Sequence, residues 1–427
     1  MIWLGILVIL AAALAGAPLF AVLMACAMLG FVSADIDLAI VAIEVYRIVD
    51  TPLLVALPLF TYAGYVLAEA KTSERLVNLV QSIFGGLPSG LALVGFVACA
   101  LFTALTGASG VTIVALGALL LPALVRSGYD ERFALGLVTT SGSLGLLLVP
   151  SVPLILYGII AQQLDVGESF TISELFLAGV VPMLLMLALL IAFTLWRHRD
   201  GRIEQIPFSG RVLLQALTDA RWELPLPVIV LGGIYSGYFA ISEAAAVTAL
   251  YVTLAEVVLY REVSWTKLPK VMIDSMVMVG GIMLVLGVAL AFTNFLVDAE
   301  VPQALFHFMQ THVESTLGFL LLLNVFLLML GAMLDIFSAL VIVVPLILPV
   351  AAGYGIHPVH LGIIFLANMQ IGYFTPPVGM NLFIASYRFK KPLVELYMAS
   401  LPFMLVLLIA LALITYVPWF SMVLIRD

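Results

Sequence analysis

The sequence predicts an all-α polytopic membrane protein with inverted repeats, two re-entrant helical hairpins and two broken helices. Three observations carry that prediction. Of 427 residues, 64% are hydrophobic and only 10% charged, with a mean hydropathy of +1.23, whereas a soluble domain is about 25% charged. Two long apolar stretches, 91–160 and 317–386, are interrupted by glycine, proline and hydroxyl residues and match each other at one offset. The basic residues are placed so that the two copies face opposite sides of a bilayer. This composition excludes an ordinary soluble enzyme and a disordered chain. A net charge of −8 with only 17 Lys plus Arg argues against a nucleic-acid partner and leaves the lipid bilayer as the expected surrounding.

A helical span needs about 20 apolar residues. Uninterrupted runs predict spans at 2–30, 51–69, 175–196, 224–241, 244–260, 271–297 and 395–425. The opening Met1-Ile2-Trp3-Leu4 has no basic n-region and no small-residue cleavage pattern, so it reads as a first span, bent or interfacial at Pro18, and not as a removed leader. Cys26 and Cys99 lie inside apolar runs and read as small hydrophobes.

The two interrupted stretches repeat. Pro122 pairs with Pro349, Gly128 with Gly355, Gly145 with Gly372 and Pro150 with Pro377, each pair 227 residues apart. Four ungapped matches point to an internal duplication. From Lys71 to Arg132 the first copy carries Lys71, Arg75, Arg126 and Arg132, while 298–359 carries no Lys or Arg. Since positive residues mark the cytoplasmic side, the copies are inverted. In each copy the flanks of the interrupted run fall on one side, as in a re-entrant hairpin, and a crossing follows. That threading puts 15 of the 17 basic residues inside, all but Arg47 and Arg426. It gives nine crossings, with the N-terminus inside and the C-terminus outside. The expected organisation is scaffold helices and a first arm at 1–90, and a first transport half at 91–161. Scaffold spans with a cytoplasmic loop at 197–223 fill 162–297, a second arm and transport half fill 298–388, and a C-terminal scaffold span takes 389–427.

The candidate chemistry sits at the interruptions. Hairpin one turns at Thr106-Gly107-Ala108-Ser109-Gly110-Val111-Thr112, and its crossing breaks at Ser141-Gly142-Ser143-Leu144-Gly145 and Val149-Pro150-Ser151. Hairpin two turns at Gly331-Ala332-Met333-Leu334-Asp335, and its crossing breaks at Asn368–Gly372 and Thr375-Pro376-Pro377-Val378-Gly379. Non-helical backbone at membrane depth persists only where protein or a water-filled cavity covers it. Unwound carbonyls and hydroxyls suit Na⁺, and half-helix N-termini suit an anion. Two inverted pairs therefore predict two cation sites flanking one substrate site, against the plainer reading of kinks that shape packing. Asp335 is the one carboxylate in either hairpin; it could ligate Na⁺, exchange a proton, or cap the second half-helix. Its counterpart is Ala108, so the two cation sites differ chemically. Glu243 reads equally well as a helix-start carboxylate. No nucleotide-binding motif is present and the largest cytoplasmic loop is too small for a nucleotide domain, so an ion gradient or a partner must supply energy. Gly107-Ala108-Ser109-Gly110 also looks like the serine motif of rhomboid-type intramembrane proteases. That chemistry needs a base beside the serine, and all five histidines fall in loops or at span ends.

At these residues the chain resembles the large membrane subunit of tripartite ATP-independent periplasmic (TRAP) transporters, of the C4-dicarboxylate type. The resemblance covers essentially the whole sequence. It is most specific at Thr375-Pro376-Pro377-Val378-Gly379-Met380-Asn381-Leu382-Phe383 and at Pro345–Pro349 followed by Gly355-Ile356-His357-Pro358. Ser143-Leu144-Gly145 through Pro153–Gly158 and Glu243–Val247 add to it. The resemblance implies an elevator fold and Na⁺-driven uptake of organic acids across the bacterial inner membrane. It also implies two partners, a periplasmic substrate-binding protein and a small membrane subunit of about four spans. It places Na⁺ ligands among Thr106, Gly107, Ser109, Ser141, Gly145, Gly331, Asp335, Gly372 and Thr375. Substrate contacts are expected among Ser109, Gly110, Ser143, Pro150, Ser151, Thr375, Pro376, Pro377, Gly379 and Asn381. The chain departs from the family pattern at Val149, where a second proline is usual, at Ala240-Ile241-Ser242, and at Ala108. The nearest alternative is a self-sufficient Na⁺/carboxylate symporter; the distant one is the serine protease.

Overall fold

A computed structural model describes residues 2–47, 51–199, 208–313 and 315–425. Among them every regular element is helical. The chain opens with α1 (Ile2–Leu14), α2 (Leu19–Ser33) and α3 (Ala39–Arg47). A 3₁₀ turn then leads into α4 (Ala56–Glu69), which bends by 76° into α5 (Thr72–Phe84). Hairpin one is α6 (Gly90–Thr106) and α7 (Ser109–Arg126). The first broken helix is α8 (Glu131–Ser141) and α9 (Val152–Leu164), bent by 42° through a 3₁₀ turn at Leu144–Leu147. There follow α10 (Ile172–Arg197), α11 (Gly210–Asp219), α12 (Pro225–Tyr235) and α13 (Ile241–Thr253), which runs on as a π-helical segment, Leu254–Leu259. After α14 (Leu268–Asp298) and α15 (Val301–His312) comes hairpin two, α16 (Thr316–Met333) and α17 (Ile336–Gly353). The second broken helix is α18 (Pro358–Gly372) and α19 (Met380–Phe389), and α20 (Leu393–Tyr416) and α21 (Trp419–Met422) complete the fold.

The duplication is visible element by element. α7 and α17 begin and end 227 residues apart, as do the starts of α8 and α18 and the ends of α6 and α16. Gly128 and Gly355, which close the two hairpins, both adopt positive φ (95° and 74°), a conformation open to glycine without a Cβ clash.

The run 2–30 is indeed bent at Pro18: it is two helices, parted at Gly16-Ala17-Pro18, where Gly16 takes φ +88°. Two sequence expectations need correction. The run 224–241 is helical only over Pro225–Tyr235, 11 residues, or about 16 Å at 1.5 Å per residue, half of a hydrocarbon core. Phe239 N–H turns back to the Gly233 carbonyl and ends the helix. The run 395–425 stops at Tyr416, because Pro418 cannot continue the ladder. Among the described residues seven helices are long and apolar enough to cross a bilayer, or nine if each bent pair counts once. The seven include α7, α16 and α17 of the hairpins.

The core lies where the two copies meet. All of α18 is buried, as are Phe133–Ser141 of α8 and Val152–Ala161 of α9. These helices carry buried polar groups, His360, Asn368 and Gln370 in α18 and Thr139, Thr140 and Ser141 in α8, which favour a place inside protein over one against lipid. α10, α16 and α20 close around α18, and α17 packs along α9. α14 lies against α2, α3 and α4, and α13 against α4 and α12. Glycine permits the closest approaches: a Cβ on Gly136 would stand 2.1 Å from the Ala399 carbonyl oxygen, joining α8 to α20.

Candidate functional site

Hairpin one turns tightly because Gly107 takes φ +69° and Ala108 is extended, so α7 restarts at Ser109. The tip is sealed through backbone. Gly64 of α4 sits on the Thr106 carbonyl, where a Cβ would be 2.7 Å away. Gly145 in the first break lies on the Ala100 carbonyl, 2.1 Å from where its Cβ would be. The Thr103 hydroxyl bonds the Thr112 hydroxyl at 2.7 Å and the Gly142 carbonyl at 2.8 Å. Hairpin one and the first break thus share one buried hydroxyl–carbonyl cluster. Thr106 donates back to Phe102 O (2.9 Å), Ser141 to Val138 O (3.4 Å) and Ser151 to Leu146 O (2.6 Å). Pro150 borders a separate apolar cavity of about 320 Å³ shared with α4, α10 and α12.

Hairpin two is closed by a carboxylate. Leu334 is extended, and Asp335 caps α17: Oδ1 accepts the Phe337 and Ser338 N–H groups, both at 3.0 Å, and Oδ2 accepts the Ser338 hydroxyl at 2.5 Å. The capping role is therefore what the geometry shows. An ionised carboxylate has about four acceptor sites, so capping leaves room for a cation. The half-buried Asp335 borders a cavity of about 330 Å³ between hairpin two and α14, with Ser338, Val277 and Gly281. Hairpin two joins the second break through Gly331 and Gly372, where a Cβ on Gly372 would lie 2.6 Å from the Gly331 backbone. Gly379 N–H donates to Ala332 O (2.9 Å) and Ile336 N–H to the Tyr373 hydroxyl (2.8 Å). The Thr375 hydroxyl donates to Ile371 O at 2.8 Å.

Two hydrogen bonds then stitch the copies together. The Ser109 hydroxyl donates to Asn381 Oδ1 at 2.9 Å, and Ser143 donates to the Gln370 carbonyl at 3.1 Å. Asn381 also donates to Thr139 O at 3.4 Å, and Ile384 packs on Gly110. The first turns of α7 and α19, two half-helices from different copies, are thereby neighbours in the buried centre. Helix N-termini carry partial positive charge and unpaired N–H groups, and neither turn contains Lys or Arg. In α19 the Asn381, Leu382 and Phe383 N–H groups already bond the Tyr373 and Gly379 carbonyls, so the backbone donors the centre offers an anion, without a fixed cation, come from the first turn of α7. Ser109, Gly110, Ser143 and Asn381 come together here; Pro376 and Pro377 lie exposed at the rim of the second break, with Pro377 O held by the Tyr397 hydroxyl at 2.6 Å.

Thr103 and Tyr373 are site neighbours absent from the sequence expectations, and Gln370 falls within the expected Asn368–Gly372 break without an assigned role. Gln370 carries the clearest signal, an amide in an apolar span. Its Oε1 and the Oδ1 of Asn368 are buried without a partner, while Asn368 Nδ2 donates to Asn324 Oδ1 at 2.7 Å. Glu243 accepts the Ala240 N–H at 2.9 Å and so serves as a helix-start carboxylate. Ser109 has an amide oxygen as its partner, and among the described residues no histidine bonds it. Among those residues no group of three or more His, Cys, Asp or Glu could hold a metal ion, so any cation there would rely on hydroxyls and carbonyls with at most one carboxylate.

Comparison with known proteins agrees with this architecture. The family profile described as tripartite ATP-independent periplasmic transporter, DctM component, matches residues 4–420. The chain is 36% identical over 405 residues to the C4-dicarboxylate TRAP transporter large permease protein DctM of Rhodobacter capsulatus, covering 92% of this chain and 91% of that one. It is 33% identical over 380 residues to the sialic acid TRAP transporter large permease protein SiaM of Vibrio cholerae serotype O1, covering 88% and 87%. In fold it is similar to the YdaH transporter of Alcanivorax borkumensis, with a TM-score of 0.59 at 16% identity, covering 86% and 85%.

Proposed function

Since this chain belongs to the DctM component family of tripartite ATP-independent periplasmic transporters, multi-pass proteins of the bacterial inner membrane, we propose that it is the large permease of a Na⁺-coupled importer of organic acids. The observation that carries the reading is the Ser109–Asn381 contact, which brings the N-terminal turns of α7 and α19 together without any basic side chain. A carboxylate substrate there accepts from backbone N–H groups and the two side chains, in a site whose low dielectric strengthens each bond. The hydroxyl–carbonyl cluster at Thr103, Thr112 and Gly142, beside the Thr106 tip, supplies one Na⁺ site. Asp335 with the Gly331–Gly372 junction supplies the other, so that binding both cations offsets the charge of a dianion. The two stitched copies move as one block against α2–α4 and α12–α14, an elevator step. A periplasmic binding protein delivers the substrate, and a small membrane subunit of about four spans supports the frame. Relatives named for C4-dicarboxylates and for sialic acid support the organic-acid class.

The test is uptake into proteoliposomes holding this chain, with and without the small subunit and the binding protein, under an inward Na⁺ gradient. Uptake is expected only with all three components and only with the gradient. Full-rate uptake by this chain alone would favour the self-sufficient symporter.

A further inference from the structure

Among the described residues the buried Lys, Arg, Asp and Glu side chains cluster away from the hairpins, at the bend between α4 and α5. Arg75 of α5, with its side chain 9% exposed, meets three carboxylates. Its Nε donates to both oxygens of Glu223 at 2.8 Å, Nη2 reaches Glu256 at 3.0 Å, and Nη1 reaches Glu262 at 2.7 Å. The Tyr260 ring lies 3.9 Å from the guanidinium carbon. Glu223 comes from the turn before α12, Glu256 from the π-helical segment, and Glu262 from the turn after it. Glu262 also accepts the Lys71 N–H at 2.7 Å, and Glu256 accepts the Thr72 hydroxyl at 3.4 Å. One cation thus fastens the bent arm to three parts of the frame. The repeat has no twin for it: the position matching Arg75 is Pro302 on α15, and among the described residues no ion pair involves α15.

The charges do not balance. Glu223 and Glu256 are 3% and 0% exposed, and Arg75 is the only buried Lys or Arg among the described residues. The remaining neighbours do not correct the excess. Lys71, Glu74, Asp219 and Arg221 line an open cavity of about 450 Å³ beside the cluster. Arg261 is exposed and bonded to Val258 O, Glu69 is paired with Lys267 at 2.9 Å, and Tyr251, near Glu223, and Tyr260 are neutral phenols. Three ionised carboxylates around one guanidinium would leave two uncompensated negative charges, with Glu223 and Glu256 desolvated and Glu262, 20% exposed, at the edge of the open cavity. Like charges at such range suppress the ionisation of one of them.

We propose that this cluster holds a proton, on the fully buried Glu256, and that the proton makes the junction a pH-sensitive pin between the first arm and the frame. A carboxyl that stays protonated when folded and ionises when unfolded costs stability as pH rises, up to tenfold in the folding constant per pH unit. The experiment follows the melting temperature of the full chain from pH 5 to pH 8, the infrared carboxylic-acid band, and hydrogen exchange along α5. Three proteins are compared: wild type, Glu256→Gln and Glu262→Gln. The wild type is expected to lose stability and α5 protection as pH rises, and both variants to be flatter, because each lowers the cluster charge by one. Glu256→Gln is expected to lack the carboxylic-acid band that the wild type shows at pH 7. A wild-type pH slope in both variants, or an unchanged band in Glu256→Gln, would overturn the proposal. Should Glu256→Gln fail to fold, the slope of Glu262→Gln decides it.

Discussion

Asp335 poses the residue-scale question most sharply, because one carboxylate caps α17 and borders a cavity at the same time. The two roles separate by substitution. Asp335→Ala removes the cap and is expected to cost about 1 kcal/mol of stability, together with Na⁺-dependent uptake. Asp335→Asn keeps a capping oxygen and loses the charge; it is expected to melt near the wild type and still lose Na⁺ dependence. Wild-type Na⁺ dependence in the Asn variant would remove Asp335 from the cation site. At the other tip, Ser109→Ala leaves buried Asn381 Oδ1 without its donor, a loss of about 1–3 kcal/mol, with slower uptake and no change in any peptide cleavage. The sequence exposed these two residues because polar side chains at a break in an apolar run stand out. It did not expose Thr103 or Tyr373, whose partners lie 39 and 37 residues away and whose hydroxyls are ordinary in an apolar helix.

Among the elements, hairpins and breaks were legible and some spans were not, for one physical reason. A duplicated interruption is written twice, so the 227-residue register locates it. Hydropathy alone is blind to backbone geometry. It counted α1 and α2 as one span, bent at Pro18, and it extended α12 past Tyr235, where the backbone turns. The junction of hairpin two with the second break depends on two facing glycines. Gly372→Ala would press a methyl onto the Gly331 backbone, which cannot move aside as a side chain can. An expected loss of about 1–3 kcal/mol should appear as a lower melting temperature, larger than for Gly232→Ala, where the added Cβ meets open space.

For the whole molecule, the charge pattern makes a prediction about sidedness. On a Cys26→Ala, Cys99→Ala background, a cysteine at Tyr387, 91% exposed, should react with an impermeant maleimide only from the cytoplasmic face. One at Tyr238, 84% exposed, should react only from the periplasmic face. Equal labelling of both from one side would refute the inverted threading. The sidedness follows from the sequence alone, because with 10% charge the placement of each Lys and Arg is informative.

The bonds between the copies, Ser109 to Asn381 and Ser143 to Gln370, bear on how such a gene can change. After a duplication, halves that merely touched could drift or be exchanged between paralogues one at a time. Here the Asn381 amide oxygen takes its hydrogen bond from Ser109 of the other half, so a chimaera whose foreign first half lacks a hydroxyl there is expected to bury an unpaired acceptor at the seam. The two halves are coupled: a substitution at Ser109 is expected to cost less with a compensating one at Asn381, 272 residues downstream.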